Sequence, residues 1–232
     1  MFNKNPQNTS ETPPESDLQS AVVIGLGRFG LSMAMELEAS GLDVLGIDSS
    51  PEVVQRVSGS IHHVVRADAT DREALSQLAV NEYGCAVVTI GGDLAASILS
   101  VSALLTLDCP QVWAKVSSAE QREILKQMGI TRIFYPEADT GRRAAHQVAQ
   151  SFEDYIDLGH GFALVITNPG ARYCSDTLGN LDVRRREGFS IVAIKTETGD
   201  WTTAHAGTVL SPKDTIMVVA PTRTIGKITR QS

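Results

Sequence analysis

The sequence predicts an α/β chain: a doubly wound parallel sheet over residues 20–139, a connecting helix over 140–155, and a small α+β lobe over 156–232. Three observations carry that expectation. Short apolar runs alternate with segments at helix spacing up to about residue 135; the first run opens into a glycine-spaced turn; and after residue 156 the rhythm changes to short β runs separated by turn residues.

Residues 1–19 are rich in Asn, Gln, Ser, Thr and Pro, with Phe2 and Leu18 as the large apolar groups, so they are expected to remain a disordered tail. The run at 21–24 then leads into Gly25-Leu-Gly27-Arg28-Phe29-Gly30. In a strand–turn–helix unit the first glycine permits the turn, the second lets backbone approach a phosphate and the third lets helix pack on strand. The following segment repeats Leu31, Ala34, Met35 and Leu37 at three- and four-residue steps, the period of an amphipathic helix. A second run at 42–47 ends in Asp48, close to the spacing at which a carboxylate accepts from ribose hydroxyls. Strand, turn, helix and acid together predict a Rossmann-like site for an adenine nucleotide.

Pro51 after Ser49-Ser50 is a fit start for the second helix, with a serine as N-cap. Further strands are expected at 64–66, 86–90, 112–116 and 133–135, with crossover helices on both faces. Asp68, with Ala69, follows the third strand at the edge where ligands bind in open sheets. It is read either as an acceptor for an adenine amino group or, with Thr70, as a helix cap. Ile90-Gly91-Gly92 after the fourth strand belongs to the same edge, permissive enough for a nucleotide to lie over it. The helix at 95–107 carries no charge, which predicts burial on more than one side or an oligomer contact. Arg28 would set a charged fork beside a polyphosphate or lie in solvent. In the last lobe the β runs are 162–167, 190–195, 201–204 and 215–220.

The net charge of −7 supplies no basic stripe for nucleic acid, and Arg184-Arg185-Arg186 reads as a solvated helix face. Cys85, Cys109 and Cys174 are scattered, so neither a disulfide framework nor a zinc site follows. The five histidines lack metal-ligand spacing; His62 and His63 are expected in a strand, on opposite faces. No catalytic motif marks a nucleophile, and no apolar run reaches the ~18 residues that span a bilayer. A soluble, cytoplasmic chain follows, with any membrane link made by a partner.

Gly25-Leu-Gly-Arg-Phe-Gly30, Asp68-Ala-Thr70, Val112-Trp-Ala-Lys115, Gly129-Ile-Thr-Arg-Ile-Phe-Tyr-Pro-Glu137 and Tyr155-Ile-Asp-Leu158 together resemble the cytosolic regulatory subunits of Ktr- and Trk-type bacterial potassium uptake systems. The resemblance implies an RCK (also called KTN) N-lobe and a TrkA-type C-lobe. It further implies dimers assembled into an octameric ring under a membrane-embedded potassium-translocating subunit, with no catalytic role. ATP or ADP would occupy the Rossmann cleft: Arg28 and Lys115 at the terminal phosphates, Asp48 at the ribose, and Asp68 with Ala69 at the adenine. Gly25, Gly27, Phe29, Gly30, Ser49, Ile90, Gly91 and Gly92 would complete its wall. Glu137 would help hold Mg2+ or a monovalent cation beside the γ-phosphate. Some family members bind cyclic di-AMP between paired C-lobes, although residues 190–197 offer little basic character here. The glycine fingerprint is also compatible with an NAD-dependent oxidoreductase or an NAD(H)-sensing regulator.

Overall fold

The computed structural model describes residues 18–150, 152–226 and 228. The tail expected over residues 1–19 falls outside them for all but its last two positions.

The described residues fall into two compact units, divided between Pro136 and Glu137. In the first, β1 (Ser20–Ile24), α1 (Arg28–Ala39), β2 (Asp43–Asp48), α2 (Pro51–Val57), β3 (His63–Arg66), α3 (Arg72–Gln77), β4 (Cys85–Val88), α4 (Leu94–Thr106), β5 (Val112–Lys115), α5 (Ala119–Gln127) and β6 (Arg132–Phe134) follow in order. The six strands form one parallel sheet in the order β3-β2-β1-β4-β5-β6. Both faces are covered, which is why β1 and β4 read as continuous apolar runs rather than alternating ones. Val22, Ile24, Ala86 and Val88 enter one core with Leu75, Leu104 and Leu125; Val23 and Val44 enter the other with Ala34 and Val57.

Local chemistry sets the helix starts. Ser50 Oγ accepts from Val53 N (3.2 Å) at the head of α2, with Pro51 at its first position. Asp93 Oδ1 does the same for Ala96 N (2.9 Å) at α4. The cap of α3 is Asp71, which accepts from Glu73 N (2.9 Å), rather than Asp68 or Thr70. Asp68 Oδ1 instead takes both the amide and the hydroxyl of Thr70, at 2.9 and 2.8 Å, closing a turn one step earlier. His62 precedes β3, so the two histidines do not share a strand; its amide donates to Glu38 at 2.8 Å.

The second unit comprises α6 (Pro136–Gln150) from its second residue on, β7 (Asp154–Gly159), β8 (Phe162–Thr167), α7 (Leu178–Leu181), α8 (Val183–Glu187), β9 (Ser190–Lys195), β10 (Trp201–Thr203), β11 (Thr215–Pro221) and α9 (Thr222–Ile225). Its five strands form an antiparallel sheet in the order β10-β9-β11-β8-β7, around a core that includes Tyr155, Val165, Phe189, Ile216 and Val218. The helix placed at 140–155 by the sequence runs from Pro136 to Gln150 instead, because Pro136 suits a first helical turn carrying Glu137 and Asp139, and Asp154 and Tyr155 already belong to β7. Edge strand β7 adds a fifth strand to the four β runs. Arg184, Arg185 and Arg186 lie exposed on α8, as the charge run predicted.

All three cysteines are free. Burial pushes the Cys85 thiol up to about 12, so it stays protonated and unreactive. No helix among the described residues is long and apolar enough to cross a membrane.

Candidate functional site

Between β1 and β4 the strand order reverses: the chain leaves β1 toward β2 and β3 on one side and continues through β4, β5 and β6 on the other. The carboxyl ends of the strands at such a divide leave a crevice that connecting helices cannot fill. Here it is a cleft of about 290 Å³ lined by Gly25, Gly27, Asp48, Asp68, Ile90 and Gly91 among others.

The glycine turn forms one wall, and its three glycines stand in three different situations. Gly25 has φ +94°, in the region L side chains avoid, and a Cβ there would sit 3.1 Å from Ile90 N. A Cβ on Gly30 would overlap the Gly25 carbonyl and the Thr89 hydroxyl, so α1 approaches β1 only as glycine allows. Gly27 has an ordinary φ of −66°, and a Cβ added to it would meet nothing within 4 Å. Nothing in the protein demands glycine at 27, which is the expected state of a residue whose bare backbone faces a ligand. Gly27 is also the N-cap of α1 and gives it no side-chain cap, so the first amides of that helix lack intrahelical acceptors at its positive end.

Asp48 closes the opposite wall. Its Oδ2 accepts from Leu26 N (2.7 Å) and its Oδ1 from Ser50 N (2.9 Å), which fixes the carboxylate while leaving each oxygen further lone-pair capacity for hydroxyl donors. Ser49 and Ala69 also line the cleft, and Arg66 Nε donates to Ser49 O at 3.3 Å. The Thr70 amide and hydroxyl hold the Asp68 carboxyl below the usual aspartate range, so Asp68 stands at the cleft as an acceptor at neutral pH.

The structure thus brings Gly25, Gly27, Asp48, Ser49, Asp68, Ala69, Ile90 and Gly91 to one cleft. Gly30 works from behind it, and Gly92 is exposed beside it. Arg28 is exposed at the head of α1, outside the lining. Phe29 turns to an aromatic file with Phe134 at 6.1 Å, itself 5.6 Å from Trp113. Lys115 is buried at the end of β5, and its ammonium lies 2.9 Å from where a Gly91 Cβ would be. Glu137 belongs to the first turn of α6, in the second unit. Among the described residues no group of three or more His, Cys, Asp or Glu is gathered for a metal.

Sequence reasoning passed over Thr89. It lines the cleft, is buried, and reaches the carbonyl of Gly25 at 2.5 Å and that of Ile24 at 3.0 Å. A hydroxyl at the end of a β-branched run was its one signal.

The TrkA-N domain family matches residues 21–136. Ktr system potassium uptake protein A of Bacillus subtilis (strain 168) is 34% identical over 174 residues, 75% of this chain and 78% of that one. The chain belongs to the Ktr potassium uptake protein family. Another member, Ktr system potassium uptake protein A of Vibrio alginolyticus, is 31% identical over 200 residues, covering 86% of this chain and 91% of its own. Among solved structures, the GsuK RCK domain superposes on this Ktr family chain with a TM-score of 0.66 at 15% identity, over 94% of this chain and 49% of that one. The GsuK channel bound to NAD gives 0.64 at 17%, over 90% and 38%. GsuK bound to ADP gives 0.50 at 19%, over 59% and 35%. This Ktr family chain therefore spans about half or less of those longer chains and shares the RCK fold with them.

Proposed function

We propose that the chain is the nucleotide-binding regulatory subunit of a potassium uptake system. The observation that carries this is Gly27: in a chain of the Ktr family, its bare backbone heads an uncapped helix over a cleft with fixed carboxylates on the far side. ATP and ADP are the ligands, bound with different affinity by two conformations of a ring of copies, since equal affinity would shift nothing. Adenine lies toward Asp68 and Ala69, ribose on Asp48 and Ser49, and phosphates over the turn. Ile90, Gly91 and Gly92 form the floor, and Arg28 with Lys115 reads the terminal phosphates. Glu137 of a second copy, across the dimer contact, supplies a carboxylate for the accompanying Mg2+ or monovalent cation. The ring, assembled from dimers toward an octamer, docks on a membrane-embedded potassium-translocating partner at the cytoplasmic face. The role is regulatory, not enzymatic, in keeping with relatives named as potassium uptake proteins.

Calorimetry of the purified protein with ATP, ADP and NADH tests this reading. Binding of ATP and ADP, with their ratio moved toward one by Arg28→Ala, supports it; preference for NADH with turnover of a substrate rejects it. A second reading, a regulator sensing NAD(H), draws on the NAD bound to the GsuK channel and on Asp48, which suits either ribose. Tighter NADH than ATP binding without turnover selects it. Cyclic di-AMP is the further ligand to titrate against the second unit, where Arg184 and His205 line an open pocket with Leu178 and Ile191.

A further inference from the structure

The Gly25–Leu26 peptide unit is gripped at both of its poles. Its carbonyl, on Gly25, lies 2.5 Å from Thr89 Oγ1; its amide, on Leu26, donates to Asp48 Oδ2 at 2.7 Å. A peptide is planar, so these two bonds fix one rotation of the whole unit. A flip would turn the carbonyl dipole onto the Asp48 carboxylate and the amide onto the Thr89 hydroxyl oxygen, losing a charge-assisted bond and adding repulsion.

Thr89 is anchored well enough to impose this. Its own amide donates to Ile24 O (2.8 Å), continuing the pairing of β4 with β1, and its side chain is buried. Because Ile24 O already receives that amide, the single hydroxyl proton is best used on the nearer Gly25 carbonyl. On the other side, Gly25 N donates to Ile47 O (2.8 Å), just before Asp48. The glycine turn is therefore stretched between the ends of β2 and β4, the two strands that flank β1.

We infer that Thr89 is a positioning residue: through the Gly25–Leu26 peptide, its hydroxyl orients both the phosphate-facing turn and the Asp48 carboxylate. The inference rests on the nucleotide reading only for its consequence in binding; the relay itself is a property of the fold. Asp48 needs the Leu26 amide to hold Oδ2 in place, and that amide faces Asp48 only while the Gly25 carbonyl faces Thr89. Loss of the hydroxyl leaves the half-buried Gly25 carbonyl short of its side-chain donor and frees the peptide to rotate.

The test uses Thr89→Val, which keeps the shape and removes the hydroxyl, and Thr89→Ser, which keeps the hydroxyl. Two measurements on the full chain are made: amide hydrogen exchange at Leu26, and calorimetric titration with ADP. In Thr89→Val the Leu26 amide should exchange more than tenfold faster while Val22 and Val87 in the adjoining strands keep their protection. ADP affinity should fall by about five- to tenfold, the worth of about one hydrogen bond. Thr89→Ser should stay within about twofold on both counts. Unchanged Leu26 exchange in Thr89→Val, or equal acceleration in Thr89→Ser, overturns the relay. Should Thr89→Val not fold, Thr89→Ala against Thr89→Ser makes the same comparison. Absence of ADP binding by the wild type, with Leu26 exchange responding as above, rejects the nucleotide reading and keeps the relay.

Discussion

Glycines 27 and 30 are three positions apart, and substituting them should have opposite consequences. Gly30→Ala drives a methyl into the Gly25 carbonyl and should cost about 1–3 kcal/mol of stability, read by denaturant unfolding. Gly27→Ser, a good N-cap in open space, should stay within about 1 kcal/mol of wild type in the same assay yet lose nucleotide binding more than tenfold. Gly91→Ala should push back the Lys115 ammonium 2.9 Å away and weaken ATP more than adenosine, as calorimetry would register. These differences among glycines were only half legible in the sequence. The spacing of the triplet named the site, but Gly30 meets Thr89 across 59 positions of chain, and no local pattern announces such a partner. Asp68 was legible as a residue of the ligand edge and illegible as a non-cap, because Asp71 competes for the same job one turn later.

Elements with one dominant signal were read correctly: the buried runs of β1 and β4, the capped start of α2, the charged face of α8. Edge strand β7 was missed because Asp154, Asp157 and the exposed Ile156 and Leu158 break the alternation expected of a half-buried strand. The uncharged helix α4 reads as buried on several sides; in fact Ser97, Val101 and Leu104 face the core while Leu94, Leu99 and Leu105 are exposed. Its buried serines mask the contrast between the two sides. Leu99→Asp should leave stability within about 0.5 kcal/mol of wild type and reduce the particle mass in light scattering, if copies of the chain meet where Leu99 is exposed. In the second unit, Arg143 on α6 grips both oxygens of Asp154, one from Nε at 2.6 Å, and holds its carboxyl below the ordinary aspartate range. A lowered folded pKa stabilises at pH values above the unfolded one and is lost as pH falls through the lowered value. Asp154→Asn should therefore cost about 0.5–1 kcal/mol near neutrality, reduced by the solvent around Arg143, and the deficit should vanish below the ordinary aspartate range in acid unfolding.

At the scale of the molecule, two units each with its own core account for the two rhythms in the sequence. The parallel sheet carries one further consequence. Its cleft collects Ile24 and Ala96, and the strands on either side of the divide are made some sixty residues apart during synthesis. A nucleotide bound there would act as a cross-brace between an early half and a late half of the fold. A nascent chain halted before Ala96 would have no complete pocket, while the finished chain, once loaded, should resist proteases at both halves together.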